Sequence, residues 1–137
     1  MNTVDISPVA ELYWPVVKLE VDSEHWSEYA GKDDYALVPV TISGVQPTDE
    51  IYWTLTTLPL DYYNYDDEWI RDITSNDFCR QSVHSNTYFQ LPYEYEYSLI
   101  AIARDANGNL GKLFKMEIYL YKSDAADISD YKYIEVK

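Results

Sequence analysis

The sequence predicts an all-β domain, an antiparallel β-sandwich with one short inserted helix near residues 66–75. Three observations predict it. Short runs of apolar residues recur with a period of two, the pattern of half-buried strands. Fifteen tyrosines and four tryptophans accompany only four glycines, and such side chains fit a pleated surface. No strand alternates with a long helix, as a parallel sheet would require. At 137 residues the chain suits a single domain that buries roughly two-thirds of its unfolded surface without a metal or a disulfide.

Residues 1–15 read as an irregular lead-in, 16–121 as the sandwich, and 122–137 as a connector with an edge strand. "VVKLEVD" puts Val17, Leu19 and Val21 on one face, and "YALVPVTIS" does the same for Ala36, Val38, Val40 and Ile42. Pro39 within that run has no N–H for a ladder, so its side should face an edge or a bulge. "EIYWTLTT" aligns Ile51, Trp53 and Leu55, and "TYFQL" is a short fourth run. In "YSLIAIAR" both faces are apolar, Leu99, Ala101 and Ala103 on one and Ile100 and Ile102 on the other, so something must cover the second face. "KLFKMEIYLY" returns to strict alternation, with Phe114, Met116, Ile118 and Leu120 inside.

The expected cover is "YDDEWIRDITSN". Asp66 can cap that helix, Asp67 and Glu68 suit its positive N-terminal end, and Trp69, Ile70 and Ile73 make its apolar stripe. So short a helix must dock to persist. Trp69 is therefore expected to be packed.

Charge and chemistry exclude several classes. A formal charge of −14 repels phosphate backbones and anionic headgroups, which argues against nucleic-acid and membrane-surface binding and favours a monomer. No run approaches the ~18 apolar residues of a membrane helix. Cys79 is the single cysteine, so no internal disulfide forms, and it reads as a buried or indifferent thiol. His25 and His84 lie in no metal-spacing motif, Cys79 and His84 lack a third orienting group, and no glycine-rich phosphate loop is present. No catalytic residue and no cofactor are expected. Asp124, Asp127 and Asp130, spaced by three, read as a solvated connector or as a cation site.

"DANGN" at 105–109 poses a choice between a calcium loop and a hairpin bend. A calcium loop of the helix–loop–helix type needs glycine at its sixth position and flanking helices, whereas glycine here falls fourth, after a strand. Asn107-Gly108 between alternating runs predicts a turn.

"TYFQLPYEYEYSLIAIARDANGNLGK" resembles the E–F–G region of fibronectin type III and related immunoglobulin-like modules. Leu91, Pro92, Tyr97, Ala101, Ala103, Asp105, Gly108 and Asn109 carry the likeness. It implies that Tyr97 is a corner tyrosine bonded back to the chain, and that Trp53 packs between the sheets. "DEIYWTL", "YDDEWI" and "AIARDANGN" further resemble fibronectin-like modules of surface lipoproteins from gut Bacteroidetes. That likeness implies a non-catalytic module of an exported protein, at the cell surface or in the periplasm, beside neighbouring domains of a larger chain. "MNTVDISPVAEL" has neither a basic start nor an apolar run, a departure from lipoprotein leaders.

The candidate binding residues are Tyr62, Tyr63, Asn64 and Tyr65 in "LPLDYYNYDDEW". Flat aromatic faces beside amides and carboxylates suit a glycan, and tyrosine-rich loops also suit a protein ligand. The alternative is that these rings only cover the junction of helix and sheet, in a structural spacer with no ligand of its own. Tyr93-Glu94-Tyr95 should alternate, so that only part of that run is exposed.

Overall fold

The computed structural model describes residues 15–29, 32–82, 84–122 and 132–136. Among them run β1 (Lys18–Val21), β2 (Ser27–Tyr29), β3 (Lys32–Ser43), β4 (Glu50–Thr56), α1 (Asp67–Thr74), β5 (Arg80–Gln81), β6 (Asn86–Pro92), β7 (Tyr95–Arg104), β8 (Phe114–Lys122) and β9 (Lys132–Val136). They form two antiparallel sheets. In the first, β6 lines one side of β3, while β1 and β2 follow each other along the opposite side. The second has the order β5-β4-β7-β8-β9. Asp124, Asp127 and Asp130 lie outside the described residues.

The alternation read from the sequence is the alternation of burial. Val17, Leu19 and Val21 of the first sheet, with Ala36, Val38, Val40, Ile42, Phe89 and Leu91, meet Ile51, Leu99, Ala101, Ala103, Met116, Ile118 and Leu120 of the second. Each fully buried aliphatic side chain contributes about 1.5–3 kcal/mol relative to exposure. Trp53 bridges the sheets edge-on to Phe89, with ring centroids 5.3 Å apart. At the turn between β6 and β7 the Tyr97 hydroxyl donates to the Pro92 carbonyl at 2.6 Å.

Pro39 is not on an edge strand, because β3 is flanked on both sides. The carbonyl of Pro39 accepts from the Asp22 N–H at 2.9 Å, just after β1 ends. A residue's N and C=O point to the same side of an antiparallel strand, so the Pro39 nitrogen faces the interruption between β1 and β2. The break removes the demand for a donor that proline cannot meet. Two glycines fix the approach to β1. A Cβ on Gly44 would stand 1.9 Å from the Val16 carbonyl oxygen, and one on Gly111 would stand 1.5 Å from that of Pro15.

Both faces of β7 are covered, with Ile100 at 1% and Ile102 at 3% exposure. The chain between β4 and β5 lies over the outer face of the second sheet. α1 packs on β4, and Tyr65 sits on Lys115, the cross-strand partner of Ile100. Asp66 caps α1 by accepting from the Trp69 N–H at 2.9 Å.

At 105–109 the chain makes the hairpin bend. The Asp105 carboxylate accepts from the backbone N–H groups of Asn107 (2.9 Å) and Asn109 (2.8 Å) and from the Asn109 amide (3.1 Å). Its oxygens are thereby turned into the loop. These bonds, Asn109 first, outweigh partial burial and hold the Asp105 carboxyl below the usual carboxylate range.

Candidate functional site

The tyrosine loop leaves β4 through Thr57 and Leu58 and enters a 3₁₀ turn, Leu60–Tyr62, after Pro59. Proline pre-sets φ near −65° there, and the Tyr62 N–H closes the turn on the Pro59 carbonyl at 3.0 Å. Residues 63–66 then run to the capped start of α1.

Tyr65 is the pivot. Its φ of 52° is left-handed, a conformation costing a non-glycine residue about 1–3 kcal/mol. Four contacts offset that cost. The Tyr65 hydroxyl donates to the Leu60 carbonyl, its ring meets Trp69 edge-on at 4.9 Å, Tyr63 lies at 6.0 Å, and the Lys115 ammonium stands 4.3 Å from the ring centre. Burial, then Tyr63 and Asp61, push the Tyr65 phenol above its ordinary value.

The four candidate residues therefore divide. Tyr63 and Tyr65 are half-buried against Trp69, which is itself packed. Tyr62 is 63% exposed, braced edge-on by Tyr63 at 5.0 Å, and Asn64 and Asp61 are exposed beside it. Packing and display are both present, on alternate residues. The cleft between Leu58-Pro59 and the outer side of β7 and β8 holds only about 140 Å³, with Glu96, Ser98 and Glu117 on its wall. Small-molecule pockets start near about 300 Å³. A ligand here would be met on the surface of the loop.

The other polar groups are engaged structurally. The His84 Nε2–H donates to the Asp49 carbonyl at 2.6 Å. Burial pushes the Cys79 thiol up, away from the reactive thiolate. Burial would raise the Glu50 carboxyl, but the Tyr52 hydroxyl at 3.1 Å and Arg104 at 3.2 Å outweigh it and hold it low. Glu50 is thus an ionised clamp between strands. Asp22 accepts from the N–H groups of Glu24 (3.0 Å) and His25 (2.9 Å) and faces the His25 ring. Among the described residues no three His, Cys, Asp or Glu side chains converge as a metal would require, and no helix is long and apolar enough to cross a membrane.

Along the Tyr93 run, Tyr93 is buried against Trp26 while Tyr95 is half exposed. Periodicity and composition do not single out Phe78, which stands fully exposed in a 3₁₀ turn, Asp77–Cys79, between α1 and β5. Its one visible signal is an aromatic residue set between polar neighbours in "SNDFCRQ". No protein-family model, curated protein or solved structure matches the chain.

Proposed function

We propose that this chain is a non-catalytic recognition module built on an immunoglobulin-like, fibronectin type III-like sandwich. The strand order supports the fold assignment: β1-β3-β6 opposite β5-β4-β7-β8 corresponds to A-B-E opposite C′-C-F-G, with β9 added beyond G. Two further supports are the Tyr97–Pro92 bond and the Trp53–Phe89 contact. On this reading the module belongs to an exported bacterial protein, at the surface or in the periplasm.

The recognition element is the loop 58–65. One observation carries it: a left-handed Tyr65, pinned by Trp69, Leu60 and Lys115, holds Tyr62 and Asn64 out to solvent. Strained backbone fixed by packing is a mark of ligand contacts, and a rigid aromatic loses little entropy on binding. Tyr62 would stack on a sugar face or seat against a protein surface, while Asn64 and Asp61 would supply polar contacts. The test screens the folded protein against a glycan array and against a displayed peptide library, with Tyr62→Ala/Asn64→Ala alongside. Binding by the wild type and its loss in the folded variant is the expected result. Binding by neither protein in either screen would leave the chain a spacer, and binding unaffected by the double substitution would remove the loop as the site.

A further inference from the structure

We propose that copies of this chain associate edge to edge, with Phe78 of one copy seated in a lysine-rimmed cleft of the next. Tyr62 and Asn64 take no part in this contact. Phe78 has no packing role in its own molecule, since its ring is fully exposed. Yet its backbone is held: the Phe78 N–H donates to the Asn76 side chain at 2.9 Å and the Cys79 N–H to the Asn76 carbonyl at 2.9 Å. An aromatic ring protruding from a held backbone is the form an interface anchor takes.

The receiving site is a cleft of about 510 Å³ between β1 and the start of β8. Val16, Leu113 and Phe114 give it apolar walls, and Lys18 and Lys112 stand on its rim with Glu20. Lys115 also borders it, with its ammonium turned to Tyr65. Two of the ten basic residues, Lys18 and Lys112, thus stand on the rim of one cleft in a chain with charge −14.

Charge complementarity selects a second copy as the occupant. Phe78 follows exposed Asp77, and the adjoining α1 exposes Asp67, Glu68 and Asp72 against one cation, Arg71. Anchor and cleft also lie on opposite sides of the second sheet, Phe78 beside β5 and the cleft beside β8. After one contact forms, the pair therefore keeps one free cleft on the first copy and one free anchor on the second, and the contact is heterologous and extends into chains. Net charge favours the monomer at long range, but the Debye length of about 8 Å at physiological salt leaves the local contact to decide.

Sedimentation velocity at about 0.15 M salt, over about 10 μM to about 1 mM protein, tests the idea. The wild type is expected to sediment faster with concentration, past the dimer. Phe78→Ser and Lys18→Glu/Lys112→Glu, all at exposed positions, should each weaken association by more than about thirtyfold. The decisive sample is the mixture of the two variants: an intact cleft on one and an intact anchor on the other give a dimer and nothing larger. A wild type that stays monomeric at the highest concentration overturns the proposal. So does a variant that associates like the wild type, or a mixture that fails to pair. Phe78→Leu, which keeps an apolar anchor, should retain part of the association, and loss equal to that of the serine variant would count against ring burial.

Discussion

Replacing Tyr97 by Phe removes one oxygen from the turn between β6 and β7 and leaves the ring in place. The lost bond is short, 2.6 Å from the hydroxyl to the Pro92 carbonyl, and the side chain is buried. Burial, with Tyr95 and Tyr35 nearby, holds the phenol far above its ordinary value, so at neutral pH it is a neutral donor. Deleting one partner of a buried bond costs about 1–3 kcal/mol, and the surviving aromatic packing places this case near about 1.5 kcal/mol. Unfolding entropy of about 2.1 cal/mol/K per residue gives ~0.29 kcal/mol/K for a chain of this length, so Tm should fall by about 5 °C. Thermal melts followed by circular dichroism, with Tyr62→Phe as the exposed control, measure it. The control should stay within about 0.5 kcal/mol of wild type. A Tyr97→Phe protein melting with the wild type, or a control that falls as far, would refute the assignment of this hydroxyl as a structural tie.

Gly111→Ala places a methyl group within 1.5 Å of the Pro15 carbonyl oxygen, which should cost about 3 kcal/mol, near the top of the range for overpacking, read as a lowered urea midpoint. Asp105→Asn removes a carboxyl whose folded pKa is depressed. That charge stabilises the fold above the unfolded value of about 3.9 and is lost as pH falls through the folded value. The stability gap between wild type and Asp105→Asn should thus be widest at neutral pH and close in acid, as denaturant titrations across pH 2–7 would show. Cys79, half-buried with its thiol pushed up, should react with a disulfide reagent more slowly than a free thiol at the same pH, and faster reaction would contradict its setting.

The long strands were legible because each must bury one face. Val38, Val40 and Ile42 on β3, and Met116, Ile118 and Leu120 on β8, have no other way to satisfy the core. The cap of α1 was legible for a local reason, since Asp66 needs only the Trp69 N–H three residues on. β2 and β5 left no such mark. Ser27–Tyr29 and Arg80–Gln81 are edge strands of two or three residues, held by backbone bonds that any side chain permits. Pro39 pointed to a missing ladder partner, but whether an edge or a broken neighbour supplies the gap depends on where β1 stops. The tyrosine loop was visible as composition. Which rings face outward was not, because the left-handed turn at Tyr65 and its contacts with Trp69 and Lys115 decide it, and Lys115 is fifty residues away in the chain.

Recognition by this loop requires that it display Tyr62 and Asn64 on a scaffold of Tyr63, Tyr65 and Trp69. The most direct measurement is the affinity of Tyr62→Ala for a ligand recovered in the screens, taken beside its melting temperature. Binding should weaken by at least about tenfold, or 1.4 kcal/mol, at an unchanged Tm. A variant that binds like the wild type, or that loses binding only because it has lost stability, would rule out a displayed site on this loop.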